Sequence, residues 1–207
     1  MIEPFIIHFS SYWFFCGLFY QYDKKFITKS NENKKKYYNA IKTSLTNQIC
    51  FTLPIFYLLY NKINQVILDS ENDSIHTILL KLFITINLSN LSFYLFHRIL
   101  HNDKIFKYIH YKHHQFITTV APSALYAHPI EHIICNNLCF LIPYLITGFS
   151  RNITYGLIIF GSLTTTLAHV DHKFKFISND HLYHHRLYKY NYGFGGYIDR
   201  LFMSYYN

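Results

Sequence analysis

Hydrophobic positions fall into five long runs separated by polar stretches, and the runs predict membrane helices. Residues 4–20 hold 17 positions without a charge, the short end of the ~17–25 needed to cross a hydrocarbon core. Residues 21–43 then turn basic, with Lys24, Lys25, Lys29, Lys34, Lys35, Lys36 and Lys42 against only Asp23 and Glu32. By the positive-inside rule this Lys-rich loop is cytoplasmic. A second run, 45–60, contains Pro54, which a membrane helix tolerates when neighbours satisfy the freed carbonyl. The stretch 61–74 carries Asp69, Glu71 and Asp73 against Lys62 and therefore lies on the opposite side. The third run, 75–96, returns the chain to the cytoplasmic side. Runs 133–149 and 153–168 are joined by Ser150, Arg151 and Asn152, a link short enough to force an antiparallel hairpin that crosses twice or re-enters without crossing. Residues 169–207 are cytoplasmic in either case. The expected fold is all-α: an integral-membrane helical bundle of four to five membrane helices or hairpins, multi-pass, with a cytoplasmic histidine-rich helical cap.

Composition sharpens this picture. Charged residues are 14% of the 207, against roughly 25% in soluble domains, and Phe and Tyr contribute 20 each. Lipid is the expected solvent. The formal net charge of +8 is concentrated in the 21–43 segment rather than spread over a folded face, so nucleic acid is not an expected partner. Cys16, Cys50, Cys135 and Cys139 sit in apolar runs without metal or disulfide spacing and read as small buried hydrophobes. The N-terminus lacks the basic region and cleavage site of a signal peptide, so the first run is expected to stay. The chain reads as one membrane domain, 1–207. Residues 1–92 supply membrane helices and the 21–43 loop, and residues 93–207 supply the histidine-rich region with the 133–168 hairpin.

The chemistry is concentrated in histidines. Twelve of the 14 lie between His97 and His185, and they recur at helical spacing: His97 with His101, then His110, His113 and His114, then His181, His184 and His185. On a helix, positions three and four apart share a face, so each box projects its imidazoles together, His110 with both His113 and His114. Imidazole binds Fe, Zn, Cu or Ni, and eight or more converging rings exceed the four ligands of one zinc, so two metals are implied. His169 and His172 leave the last apolar run at i, i+3 and are further candidate ligands. His128 and His132 flank Pro129-Ile130-Glu131 and suit either ligation or, through Glu131, the orientation of a ligand imidazole. Asp171 and Asp180 are candidates for the same orienting work. His8 and His76 lie far from the boxes and are not expected to bind metal. No catalytic side chain beyond the metal ligands is expected. Glu-x-x-His pairs of the ferritin kind are absent, and so is His-Glu-x-x-His, which disfavours the alternative of a membrane zinc hydrolase. A non-catalytic or degenerate metal-binding membrane protein is the other alternative.

In order, His97-Arg-Ile-Leu-His101, His110-Tyr-Lys-His-His114, Ala127-His-Pro-Ile-Glu131, His181-Leu-Tyr-His-His185, Asn191-Tyr-Gly193 and Asp199-Arg-Leu-Phe202 resemble the fatty acid hydroxylase/sterol desaturase superfamily of membrane non-haem di-iron oxygenases. The three-residue gap between His97 and His101 and the Ala127–Glu131 motif are more similar to the sterol-oxidising branches (C4-methyl oxidase, C5 desaturase, C25 hydroxylase). His172-Lys173-Phe174 stands where sterol members commonly have His-Ser-Gly, and Ile198 where Trp often precedes Asp-Arg. The resemblance implies two iron ions held by the boxed histidines and oxygen as co-substrate. It also implies electrons from NAD(P)H through a reductase or cytochrome b5, and hydroxylation or desaturation of a sterol or a fatty-acyl or sphingoid lipid taken from the bilayer. The endoplasmic reticulum is the expected location, with the boxes facing the cytoplasm.

Overall fold

The computed structural model describes residues 2–171 and 180–206, and every element among them is helical. Helix α1 (Glu3–Ile27) opens with Glu3 and Pro4 in its first turn and closes with Lys24 and Lys25 in its last, the charge order that the helix dipole favours. Its inward stripe, Phe5, Tyr12, Cys16, Phe19 and Asp23, is buried. After a turn at 28–30, Ser30 caps α2 (Asn31–Asn47), its Oγ accepting from Asn33 N at 3.1 Å. The Lys-rich segment read as a loop is therefore helical over most of its length.

The run at 45–60 does not form one regular span. Residues Gln48–Thr52 take a π-helical turn in which Leu53 N bonds Gln48 O, five residues back. Pro54 follows at once, in the first turn of α3 (Leu53–Leu58). A proline ring clashes with the carbonyl four residues earlier and cannot donate, and the wider turn relieves both. The chain breaks again at Leu59 and continues as α4 (Tyr60–Asp69). Cys50, expected to be buried, is exposed on the π turn, whereas Cys16, Cys135 and Cys139 are buried.

Ser74 caps α5 (Ile75–Leu100). This helix and the continuous one at Pro129–Thr147 are long and apolar enough to cross a membrane. Only 17% of the apolar window of α5 is buried, and Leu79, Phe83, Ile86 and Leu95 point outward. A core helix of a soluble protein hides such residues; here they form a surface suited to lipid. The second of these helices runs through α7 (Pro129–Glu131), a π segment (His132–Leu138) and α8 (Cys139–Thr147). It ends at Gly148, whose φ of +67° lets the chain turn into α9 (Arg151–Leu167). The short link is as expected, but the hairpin is splayed: α8 packs on α5, and α9 packs on α1.

The core beneath the histidine region is polar at its joints. The 3-10 turn Ala121–Leu125 is held by side chains from α1 and α2: Tyr12 Oη and Ser44 Oγ donate to Pro122 O at 3.2 and 2.8 Å. Asn47 Nδ2 donates to Leu125 O at 2.9 Å, and both Asp23 carboxylate oxygens accept from Ala121 N at 3.1 Å. This ties the first two helices to the loop that follows the second histidine box.

Two candidate metal centres

The last turn of α5 delivers His97, and His101 is its C-terminal cap, so one helical turn sets their ring centroids 5.2 Å apart. A short helix α6 (Asp103–Phe106), capped by Asn102, turns the chain into the 3-10 helix His110–Gln115. His169 follows α9, and α10 (Asp180–Leu187) carries the third box.

These imidazoles sort into two clusters. His97, His101, His110, His114 and His184 form the first, and His113, His169, His181 and His185 the second; within each, the candidate ligand atoms lie within 4.8 Å of one another. In the first cluster, Nε2 of His110 stands 3.0 Å from Nε2 of His97 and of His114, and Nε2 of His184 stands 3.0 Å from His101 and 3.2 Å from His114. The second closes into a ring, with Nε2 separations of 3.3 Å (His113–His169), 3.0 Å (His169–His181), 3.1 Å (His181–His185) and 3.1 Å (His185–His113). Around an ion with metal–nitrogen bonds of ~2.1 Å, neighbouring donors stand about 3.0 Å apart at right angles and about 3.4 Å apart at the tetrahedral angle. The observed spacings fall in that interval.

The boxes do not each serve one centre. Every i, i+4 pair stays together, whereas the i+3 member of each three-histidine box crosses to the other cluster: His113 leaves His110 and His114, and His184 leaves His181 and His185. The expectation that His110 would project with both His113 and His114 therefore holds only for His114. The second box is 3-10 rather than α-helical, which stacks His110 and His113 one above the other at 5.5 Å between centroids. Each ring then falls in a different cluster.

The outward nitrogens fix which inward nitrogen carries a lone pair. Nδ1 of His97 donates to Tyr192 O at 2.6 Å, Nδ1 of His184 to Tyr190 O at 2.6 Å, Nδ1 of His169 to Thr165 O at 2.9 Å and Nδ1 of His113 to Tyr126 O at 3.3 Å. A carbonyl only accepts, so these four rings hold their proton at Nδ1 and present a bare Nε2 inward. The buried carboxylate of Glu131 places Oε1 2.9 Å from His110 Nδ1.

Burial also keeps second protons off. It lowers His101 to about 2, His113 to about 3 and His169 to about 4, with neighbouring imidazoles adding at His101 and His113. Burial first, and neighbouring imidazoles after it, hold His110, His114, His181, His184 and His185 well below the ordinary histidine value. Neutral nitrogen donors at neutral pH are what a divalent cation requires.

His128 and His132 join neither cluster. His128 caps α7, its Nδ1 accepting from Ile130 N at 3.2 Å, and His132 turns toward the apolar body, where Nε2 meets Thr52 Oγ1 at 2.8 Å. Asp171 is exposed. Asp180 lies in the first turn of α10 and accepts from Tyr205 Oη at 3.4 Å. His172 lies outside the described residues. His8 stacks beside Tyr12 and Phe56, and it and His76 are in neither cluster. The carbonyls of Tyr190 and Tyr192 have no sequence signature of their own. Asn191-Tyr-Gly193 marks their loop, but spacing rules for ligands pass over it.

The model of the family described as Fatty acid hydroxylase matches residues 82–204, a stretch that contains both clusters. Over 166 residues, 78% of this chain and 50% of the relative, the chain is 31% identical to the human fatty acid hydroxylase domain-containing protein 2. It is 29% identical to methylsterol monooxygenase 1 of Gallus gallus, over 62% of the chain and 47% of that protein. It is 32% identical to sphinganine C4-monooxygenase 1 of Arabidopsis thaliana, over 49% and 43%. The chain thus spans about half the length of these curated relatives. No solved structure matches it.

Proposed function

The chain belongs to the fatty acid hydroxylase family, and from that premise we propose that it oxidises an unactivated C–H bond of a membrane lipid, by hydroxylation or desaturation, with molecular oxygen and one iron ion in each histidine cluster. The observation that carries this reading is the reciprocal split of the boxes into two all-imidazole clusters at ligand spacing. Bound iron would supply the oxygen-activating redox chemistry.

The protein's part is to hold, orient and exclude. His97, His101, His110, His114 and His184 would hold one ion, and His113, His169, His181 and His185 the other. Backbone carbonyls fix four of the rings, and Glu131 faces a fifth, His110. Phe93, one turn before His97, sets its ring 5.0 Å from that imidazole and packs against Phe140 and Phe194. This approach to the first cluster is apolar, which suits an alkyl or sterol carbon and disfavours water.

The substrate class is a sterol or a fatty-acyl or sphingoid lipid, as the names of the relatives suggest. Helices α1 and α9, packed side by side, would join the two long apolar helices to complete four to five crossings in the endoplasmic reticulum. The Lys-rich end of α1 and α2 would then face the cytoplasm beside the clusters, where NAD(P)H-derived electrons arrive through a reductase or cytochrome b5. The test is expression in a host lacking individual sterol or sphingolipid oxidases, followed by lipid analysis of wild type, His113→Ala and His184→Ala. An oxidised lipid made by wild type and by neither variant is expected; identical profiles in all three across the hosts would contradict the proposal.

A further inference from the structure

We propose that Asp199 is a positioning residue for the first cluster alone, acting through the carbonyls that orient His97 and His184. This rests on the metal-binding reading of the clusters and adds a division of labour between them.

Asp199 is fully buried on α11 (Tyr197–Leu201). Its carboxylate accepts from three groups: Oδ1 from Tyr192 N at 2.7 Å and Ser204 Oγ at 2.9 Å, and Oδ2 from Gly193 N at 2.8 Å. The loop it grips is the one whose Tyr190 and Tyr192 carbonyls receive the protons of His184 and His97. Asn90 grips the same loop from α5, accepting from Phe194 N at 3.0 Å and donating to Phe194 O at 2.7 Å. Gly193 has no room for a side chain: a Cβ there would stand 2.8 Å from Asn90 Oδ1 and 2.9 Å from Asp199 Oδ2. Asn191, at φ +57°, is locked by its side chain to Asp180 O and Tyr206 O at 3.2 and 3.1 Å. Three side chains, those of Asp199, Asn90 and Asn191, thus fix a loop whose two carbonyls aim two imidazoles of one cluster.

The second cluster is oriented differently. Its carbonyl partners, Thr165 O and Tyr126 O, belong to the end of α9 and to the residue after the Ala121–Leu125 turn. Neither touches Asp199. Loosening the Asp199 grip therefore frees His97 and His184 to rotate or change tautomer while leaving His113 and His169 held. Outer partners of metal-bound histidine typically account for about 10–100-fold in metal affinity.

The experiment places Asp199→Asn in two backgrounds of the full-length chain, His185→Ala to disable the second cluster and His184→Ala to disable the first, and titrates each metal-free protein with cobalt(II), read by its visible absorption. The expected result is cobalt affinity lowered about 10–100-fold in the His185→Ala background and unchanged in the His184→Ala background. Equal loss in both backgrounds would reduce Asp199 to a general structural role and overturn the proposal, as would no loss in either. If Asp199→Asn does not fold, Ser204→Ala, which removes one of the three bonds, decides with the same signs and a smaller shift. Wild-type protein that takes up no cobalt contradicts the metal reading itself; wild type that binds two ions beside an insensitive variant contradicts only the positioning role.

Discussion

His113 and His169 face each other Nε2 to Nε2 across 3.3 Å, while each turns Nδ1 to a backbone carbonyl, Tyr126 O and Thr165 O. Both protons are committed outward, so no hydrogen lies between the facing nitrogens and two lone pairs oppose each other in a buried site. A cation between them turns that opposition into coordination.

Metal removal should therefore destabilise the fold as well as abolish activity. An ion present at 1,000 times its dissociation constant stabilises the native state by about 4 kcal/mol. Thermal unfolding in detergent should show a transition several degrees lower after chelation, restored by adding metal back. A transition indifferent to chelator would contradict the lone-pair reading.

The depressed histidines set the direction of the pH dependence. His113 and His169 titrate at about 3 and 4 when folded, against 6.5 when unfolded, so between those values the unfolded chain binds more protons. Stability of the metal-free protein should then rise with pH through this window and level off above about 6.5. Melting curves from pH 4 to 8 check this; a protein that gains stability on acidification below pH 6 would refute it.

Two glycines make a paired prediction. Gly148→Ala puts a Cβ 3.0 Å from Ser70 Oγ and 3.1 Å from Val66 O at a φ of +67°, and should cost about 1–3 kcal/mol. Gly156→Ala, in α9, meets nothing within 4 Å and should be tolerated. Unfolding midpoints of the two variants should separate in that order.

Phe83, 66% exposed on α5, reports on the membrane reading. Phe83→Arg removes little packing yet should reduce membrane insertion, at a cost near 2.5–3.5 kcal/mol for a charge at mid-bilayer. A glycosylation-tag insertion assay that scores wild type and variant alike would contradict a lipid-facing position.

The histidine boxes were legible in the sequence because ligand spacing is local: His97 with His101 and His181 with His185 are one helical turn apart. The exchange of His113 and His184 between clusters was not, because it depends on how a 3-10 helix and α10 face each other across distant parts of the chain. The same holds for Glu131, whose carboxylate the fold sets beside His110, and for His132, which the turn of the π segment sends toward Thr52. Apolar runs announced α5 and the Pro129–Thr147 helix, but Pro54 and the π turn before it broke the second run. The Lys-rich stretch 21–43 was polar without being irregular. The Asp199-Arg-Leu-Phe202 motif is visible in the sequence, but the grip of Asp199 and Asn90 on the 190–194 loop is not, because they act on backbone groups and backbone partners leave no spacing signature.

The most direct test of the account is the iron content of protein purified without oxygen, for wild type, His184→Ala and His185→Ala. Two iron ions per chain in wild type are predicted, and each variant should retain about one, because each substitution strikes a different cluster. Wild-type protein holding a single ion, or variants that keep both, would contradict the two-centre structure on which the proposed chemistry depends.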